Sequence, residues 1–203
     1  EIKNLHRQNY TIIMIGHKGH PEVEGTMGQV TDHIHLIENE ADIDSLLIPR
    51  DIEKIAVVTQ TTLSVDETKS IIAKLMQVFS NLRLPKNEDI CYATQNRQDA
   101  VKEMAEYCDV VLVIGSKNSS NSNRLKELAE NLGVKAYLID FDYEIQGEWL
   151  NDASTVGVTA GASAPEVLVE GVIKRLQQQG FLTTEILNVV EEHMTFALPS
   201  ELR

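Results

Sequence analysis

The sequence predicts an α/β protein made of two similar small units, each with a mostly parallel β-sheet. Short apolar runs recur along the chain, which is typical of strands that are buried on both faces. Each run ends in a turn rich in Gly, Ser or Thr, and a helical pattern follows that turn. Alternation of this kind produces parallel sheets, so the loops beyond the strands are expected to face a shared cleft.

A polar, proline-containing stretch at residues 81–89 marks the expected boundary between the two units. The units are therefore predicted as residues 1–89 and residues 90–203, and the second unit includes a C-terminal tail. In the first unit, apolar runs predict strands at residues 11–15 and 55–58, and the latter strand leads into a helix.

The second unit shows the same alternation of strands and helices. Its strands are predicted at residues 110–114, 136–139 and 156–158, and its helices at residues 94–107, 125–132, 143–150 and 165–178. A capping box of Ser163 and Glu166, with Pro165 in the first turn, is predicted to start the last helix.

The composition restricts the possible functions. The chain has 203 residues, of which 42% are hydrophobic and 24% charged, and its formal net charge is −13. Such an acidic protein is not expected to bind nucleic acid, because the phosphates would be repelled. No apolar run approaches the roughly 18 residues of a membrane span, so no membrane contact is expected. The two cysteines are too few for a disulfide framework, which favours the cytoplasm or an organelle stroma.

Neutral hydrogen-bonding groups are concentrated in residues 115–124, the Ser/Asn segment, directly after the apolar run at residues 110–114. Hydroxyls, amides and backbone N–H groups at the start of a helix form a binding site for an anion. Because the protein is acidic, these local donors would have to hold a phosphate against the long-range field. Hydrogen bonds to charged groups contribute about 1.5–3 kcal/mol each, so about four to six could hold a diphosphate without an arginine.

Cys91 and Cys108 are predicted to occupy different environments. Cys91 directly precedes a helix, where the positive end of the helix dipole favours a thiolate that can bind a metal. The alternative for Cys91 is a small buried residue, and no CxxC partner accompanies it. Cys108 falls on the apolar face of its helix with Val101 and Met104, which predicts a core position.

His20 and Glu22 offer an acid–base pair, and Thr61 lies at another strand end that is expected to face them. A glutamate in a partly dry cleft lined by donors can be tuned to deliver a proton. The alternative is that Glu22 belongs to the acidic first turn of a helix behind Pro21. His17, His20 and Glu22 do not form the HExxH pattern, which argues against a zinc hydrolase.

Five segments of the sequence resemble one known family. They are GHKGHPEVEGTMGQ, TQTTLSVDET, ICYATQNRQ, GSKNSSNSNRL and VGVTAGASAP, and FALPSELR follows at the end of the chain. In this order and at these separations they resemble the hydroxymethylbutenyl diphosphate reductase family, also called LytB or IspH, of the non-mevalonate isoprenoid pathway. The resemblance covers nearly the whole chain.

This resemblance implies an oxidoreductase that removes the hydroxyl group of 4-hydroxy-3-methylbut-2-enyl diphosphate, an allylic diphosphate. The expected products are isopentenyl and dimethylallyl diphosphates. The resemblance further implies a 4Fe-4S cluster, an electron donor such as ferredoxin or flavodoxin, and a location in a bacterial cytoplasm or a plastid stroma.

The resemblance also implies roles for particular residues. Cys91 would be a cluster ligand, and Glu22 and Thr61 would lie near the substrate hydroxyl, with Glu22 supplying protons. The residues implied to contact the diphosphate are His20, Ser119, Ser120, Asn121 and Ser163.

Members of the family carry an additional N-terminal domain, with two further cluster cysteines and two further substrate histidines. This sequence shows no counterpart to that domain, so Cys91 is expected to be the one ligand present of the three that the cluster uses. The chain is therefore expected to be the second and third domains of a three-domain reductase, and to be inactive alone.

Two other classes of protein fit part of the sequence. A phosphosugar-binding isomerase domain also places Ser-rich loops after parallel strands, and the Ser/Asn segment alone would fit it. A non-catalytic diphosphate-binding module is the second alternative. The segments around Cys91 and Glu22 have no role in a sugar isomerase, which favours the reductase.

Overall fold

The computed structural model describes residues 1–85, 89–189 and 198–199. Within these residues, strands and helices alternate as the α/β prediction requires. The strands are β1 (Thr11–Ile15), β2 (Ile34–Ile37), β3 (Ile55–Thr59), β4 (Leu82–Arg83), β5 (Val110–Ile114), β6 (Lys135–Ile139) and β7 (Val156–Ala160). The helices are α1 (Ile2–Arg7), α2 (Pro21–Met27), α3 (Val65–Val78), α4 (Tyr92–Met104), α5 (Ser120–Asn131) and α6 (Glu166–Gln178).

The first sheet has the strand order β2-β1-β3-β4, and all of its pairings are parallel. Ile12 and Met14 of β1 pack with α1 and α2 on one face. Ile13 and Ile15 pack with α3 on the other face. The apolar runs of β1 and β3 are continuous because helices cover both faces of the sheet.

The second sheet has the strand order β6-β5-β7, and its pairings are also parallel. All residues of the central strand β5 are buried. Val111 and Val113 pack with α4 and α5, whereas Val110, Leu112 and Ile114 pack with α6. The predicted fold class, an α/β protein with two parallel sheets, is therefore confirmed.

Helix α4 joins the two sheets. Its residue Gln98 is almost fully buried, accepts a hydrogen bond from the Val65 N–H at 3.0 Å and donates one to the Leu63 carbonyl at 2.9 Å. One turn later, Lys102 forms an ion pair of 2.7 Å with Asp66 of α3. The same helix contributes to the core of the second sheet, so it is fixed to both units.

Several local predictions in the second unit are wrong. The helix predicted at residues 94–107 is α4, Tyr92–Met104, which ends three residues earlier. The helix predicted at residues 143–150 is replaced by two 3₁₀ turns, Asp142–Glu144 and Gly147–Trp149. Gly147 lies in the middle of the predicted helix, and glycine is a poor helix former. The capping box of Ser163 is absent. Pro165 is the N-cap of α6, so the helix starts too far along the chain for the Ser163 side chain to cap it.

A further correction concerns the Ser/Asn segment. Helix α5 begins at Ser120, five residues before its predicted start at residue 125, because Ser119 acts as the N-cap. The serines and asparagines of this segment therefore form the first turn of the helix, in addition to the loop before it.

The boundary expected at residues 81–89 stays a prediction. Strand β4 ends at Arg83 and β5 opens the second sheet, but residues 86–88 lie outside the described residues. In the C-terminal tail, residues 190–197 and 200–203 lie outside them as well. None of the helices in the described ranges has both the length and the apolarity of a membrane span.

Replacing Gln98 with Ala is expected to lower the free energy of unfolding by about 2–4 kcal/mol, because the Val65 N–H and the Leu63 carbonyl would lose their buried partner. Urea denaturation followed by circular dichroism measures this change. The control is Gln177→Ala on the exposed face of α6, which is expected to change it by less than about 0.5 kcal/mol. Equal effects of the two substitutions would show that Gln98 does not join the units.

Candidate functional site

Loops at the carboxyl ends of parallel strands from both sheets meet at one site. The loops after β5 and β7 both approach Ser122 of α5 closely, through Gly115 and Gly161. A Cβ atom at either glycine would overlap Ser122 Oγ, so both positions require glycine. The loop after β1 reaches this region through a side-chain hydrogen bond to α5, and it contacts the loop after β3 through α2. The predicted convergence of strand-end loops is thus present in the described residues.

The first turn of α5 holds its own polar side chains in place. Ser119 Oγ accepts a hydrogen bond from the Ser122 N–H at 3.3 Å, as an N-cap serine does. Asn123 Nδ2 donates to the carbonyls of Lys117 and Ser119 at 2.8 Å and 2.9 Å. These bonds leave the side chains of Ser120 and Asn121 for other partners.

Asn121 is the residue of this turn whose side chain is buried without a partner. It is 6% exposed, and neither its Oδ1 nor its Nδ2 has a hydrogen-bond partner. A buried amide without partners costs about 1–3 kcal/mol per polar atom. A ligand that offered acceptors or donors at this position would remove that cost, so the Asn121 side chain indicates a binding site.

His20 connects the first sheet to the Ser/Asn segment. It is the N-cap of α2, and its Nδ1 accepts a hydrogen bond from the Glu22 N–H at 3.2 Å. A backbone N–H can only donate, so the proton of the neutral ring lies on Nε2. His20 Nε2 then donates to Ser120 Oγ at 2.6 Å, across the boundary between the two sheets.

Glu22 and Thr61 form a second contact between strand-end loops. The Thr61 N–H donates to Glu22 Oε1 at 2.9 Å, and Thr61 Oγ1 donates to Glu22 Oε2 at 3.1 Å. Both carboxylate oxygens of Glu22 are therefore held. The Thr61 carbonyl accepts a hydrogen bond from the Cys91 N–H at 3.1 Å, so the same loop also holds the cysteine.

Cys91 precedes a helix and Cys108 is in the core, as predicted, but Cys108 lies four residues beyond the end of α4 and not on that helix. Cys91 is exposed and is the N-cap of α4. Cys108 is buried between α4 and β7, where a Cβ atom on Gly157 would lie 3.1 Å from its Sγ. Burial, followed by the charge of Asp109, raises the pKa of the Cys108 thiol. Cys91 is therefore the cysteine that is accessible to a ligand.

Ser163 forms none of the described side-chain hydrogen bonds to the other predicted site residues. It is exposed in the turn after β7, two residues beyond Gly161. Arg97 of α4 donates from Nε to the Ala160 carbonyl at 2.9 Å, which ties the end of β7 to the helix that follows Cys91. Ser163 thus lies at the same sheet edge, and its role stays a prediction.

Three polar residues that organise the site were missed from the sequence. Gln60 is fully buried, and its Oε1 accepts a hydrogen bond from the His17 N–H at 3.0 Å. Asp89 Oδ2 accepts one from the Thr59 N–H at 3.0 Å, and burial raises the pKa of this carboxyl group. The third residue, Arg124 of α5, contacts His17 in the loop after β1 and Glu67 in the first turn of α3. Their positions in the sequence were the available signal: Gln60 follows a predicted strand, Asp89 lies two residues before Cys91, and Arg124 ends the Ser/Asn segment. Local patterns do not show which partners such residues have.

A comparison with known families identifies the chain. A family model described as LytB protein matches residues 1–177. The chain belongs to the LytB family. The resemblance carried by the five sequence segments is thereby confirmed.

The chain is also similar to curated proteins of two bacteria. The 4-hydroxy-3-methylbut-2-enyl diphosphate reductases of Psychrobacter sp. and Acinetobacter baumannii are each 54% identical to the chain over 207 residues. The match covers 100% of this chain and 65% of each relative. The chain therefore spans about 65% of the length of these curated relatives.

Two solved structures of diphosphate reductases have a similar fold. The E-1-hydroxy-2-methyl-but-2-enyl-4-diphosphate reductase of Plasmodium falciparum matches with a TM-score of 0.89 and 31% identity, covering 98% of this chain and 65% of that one. A structure of (E)-4-hydroxy-3-methyl-but-2-enyl diphosphate reductase matches with a TM-score of 0.50 and 32% identity, covering 87% and 62%.

Iodoacetamide is expected to alkylate Cys91 at least about tenfold faster than Cys108 in the folded protein, because Cys91 is exposed and Cys108 is buried with a raised pKa. Mass spectrometry of the two cysteine peptides over time measures both rates. Cys91→Ser is expected to remove the fast reaction, and denaturation is expected to bring the two rates together. Equal rates in the folded protein would contradict the assigned environments.

Proposed function

We propose that this chain supplies the substrate-binding and proton-donating part of a 4-hydroxy-3-methylbut-2-enyl diphosphate reductase. The observation that carries the proposal is the buried amide of Asn121 without a partner, beside the His20–Ser120 hydrogen bond. The relatives that bear this name are longer than the chain, so the activity is proposed for the full-length form. In that form, the part of the relatives that this chain does not match is joined to it.

The diphosphate would be bound by neutral groups. The Ser120 hydroxyl and the Asn121 amide are donors near the N-terminus of α5, where the helix dipole also favours negative charge. His20 Nε2–H, which donates to Ser120 Oγ, would donate to the anion in place of that oxygen. Ser119 and Ser163 would complete the site at the same sheet edge. With a net charge of −13, the protein has no long-range attraction for the ligand, so these local contacts must provide the affinity.

Glu22 is suited to deliver protons at the reacting end of the substrate. The reaction breaks a C–O bond, forms a C–H bond and releases water, and it consumes two electrons and two protons. Thr61 donates hydrogen bonds to both oxygens of the Glu22 carboxylate and so fixes its orientation. The carbonyl of Thr61 also accepts from the Cys91 N–H, so the carboxylate and the cysteine are held by the same residue. A protonated Glu22 in this position could give its proton to the departing hydroxyl group.

The described residues do not by themselves fit a 4Fe-4S cluster. Within residues 1–85, 89–189 and 198–199, no group of His, Cys, Asp and Glu side chains is arranged to hold a metal ion. The sequence contains two cysteines, of which Cys108 is buried in the core. Cys91 would thus be one ligand, and the full-length form would have to provide the others. When bound, such a cluster would supply the electrons and a Lewis-acidic iron.

The remaining parts of the proposal concern partners and location. The electrons would come from a small donor protein such as ferredoxin or flavodoxin, and the enzyme would act in the cytoplasm. A phosphosugar isomerase is the weaker candidate, because it would leave the Glu22–Thr61–Cys91 connection without a use. A module that binds the diphosphate without turnover describes what we expect of this chain alone.

Asn121→Asp is expected to weaken the binding of inorganic pyrophosphate at least about tenfold, because it places a negative charge against the anion in a buried position. Isothermal titration calorimetry on this chain measures the affinity. Asn131→Asp makes the same change at the exposed C-terminal end of α5 and is expected to alter the affinity by less than about twofold. Tighter binding of a sugar phosphate than of pyrophosphate would favour the isomerase instead.

Anaerobic reconstitution with iron and sulfide is expected to give no stable four-iron cluster in this chain alone, because too few cysteine thiolates are available. Joining the unmatched part of the Psychrobacter reductase to the chain is expected to restore both the cluster and substrate-dependent oxidation of a reduced viologen dye. In that joined protein, Glu22→Gln is expected to lower the rate about 100-fold and leave the iron content unchanged. A stable, active cluster in this chain alone would refute the proposed division of the site.

A further inference from the structure

The guanidinium group of Arg124 links its own helix to two elements that follow strands of the first sheet. It lies in α5, one turn beyond Asn121, and its side chain is 13% exposed. Its Nη2 lies 3.1 Å from His17 Nε2 in the loop after β1. Its Nη1 lies 3.2 Å from Glu67 Oε2 in the first turn of α3 and 3.1 Å from Glu127 Oε2 on its own helix.

The chemistry of these contacts defines how His17 is held. A guanidinium group can only donate, so His17 Nε2 must be the acceptor, and the ring is neutral with its proton on Nδ1. Glu38 Oε1 lies 3.9 Å from that Nδ1. The backbone N–H of His17 donates to the buried Gln60 Oε1 at 3.0 Å. The loop that carries His20 is therefore held on one side by Gln60, directly after β3, and on the other by Arg124.

We propose that Arg124 is a positioning residue for the anion site, an inference that rests on the proposed diphosphate binding. It acts through His17 and Glu67 and keeps the first turn of α5 at a constant distance from the loop that ends in His20. His20 and Ser120 are the donors on either side of the junction between the loop after β1 and the first turn of α5. Among the described side-chain hydrogen bonds, the bond between His20 and Ser120 also joins these two elements. Without Arg124, the donors around the anion would be held by one side-chain bond between the two loops.

The geometry requires arginine and not merely a positive charge. The guanidinium reaches His17 with one nitrogen and Glu67 with the other, in directions set by its planar shape. A lysine ammonium group at this position would keep the charge but could not reproduce both directions. Substitution by lysine therefore separates positioning from simple attraction between Arg124 and the anion.

The experiment is calorimetric titration of inorganic pyrophosphate into this chain. Arg124→Met and Arg124→Lys are both expected to weaken binding about tenfold, because loosely held donors lose much of their affinity. Lys126→Met removes the same charge from an exposed ion pair on the same helix and is expected to change the affinity by less than about twofold. Full affinity in Arg124→Lys would overturn the proposal, because attraction by charge alone would then explain the role of Arg124.

A second variant separates positioning by Arg124 from simple electrostatics, because the two predict opposite changes in pyrophosphate affinity. It also keeps the test possible if the Arg124 variants do not fold. Glu67→Ala removes a negative charge, so electrostatics alone would strengthen anion binding. Because Glu67 holds Arg124, we expect binding about threefold weaker, whereas Glu130→Ala, with the same charge change, is expected to leave it within about twofold. Stronger binding in Glu67→Ala would overturn the proposal.

The nitrogen chemical shifts of the His17 ring provide a readout that is independent of affinity. Loss of the Arg124 contact is expected to shift the Nε2 resonance in Arg124→Met and to leave it unchanged in Lys126→Met. If the unaltered chain does not bind pyrophosphate, the proposed function fails. If it binds and the Arg124 variants bind equally well, the positioning role alone fails.

Discussion

The hydrogen bond of 2.6 Å between His20 Nε2 and Ser120 Oγ connects residues that are 100 positions apart in the chain. It joins the start of α2 to the start of α5, and so it joins the two sheets at the edge where their strands end. The first sheet contributes an imidazole and a carboxylate, and the second contributes the Ser/Asn segment. The candidate site exists only where these two sets of side chains meet, so the fold must hold both sheets in place.

Acidity is the second constraint on this site. A chain with a net charge of −13 cannot gather an anion by its overall field, and the turn that would hold the anion is made of serines and asparagines. The buried Asn121 amide is then costly in the absence of a ligand, which is the pattern expected where binding affinity is stored in a preformed turn. Helix α4 supports that turn indirectly. Gln98 ties the helix to Val65 at the start of α3, and Arg97 ties it to Ala160 at the end of β7.

Much of the architecture was predictable because it depends on local patterns. The apolar runs that became β1, β3 and β5 are buried on both faces, and a continuous apolar run is sufficient to indicate this. Helix starts were less predictable. Ser119 rather than a later residue caps α5, because several serines and asparagines in this segment offered nearly equivalent caps. Helix α6 begins after Pro165 with no side-chain cap.

The sequence by itself determined the α/β class, the family and the kinds of side chain that stand at the strand ends. It also separated Cys91 from Cys108, because Cys91 directly precedes a helical pattern and Cys108 continues the apolar spacing of Val101 and Met104, although α4 itself ends at Met104. Only the tertiary structure decided that Asn121 lacks a hydrogen-bond partner, that the His20 proton lies on Nε2, and that Arg124 of α5 reaches His17 and Glu67. The physical reason is that the partners of a polar side chain come from segments far away in the chain, and no local pattern records which segments meet.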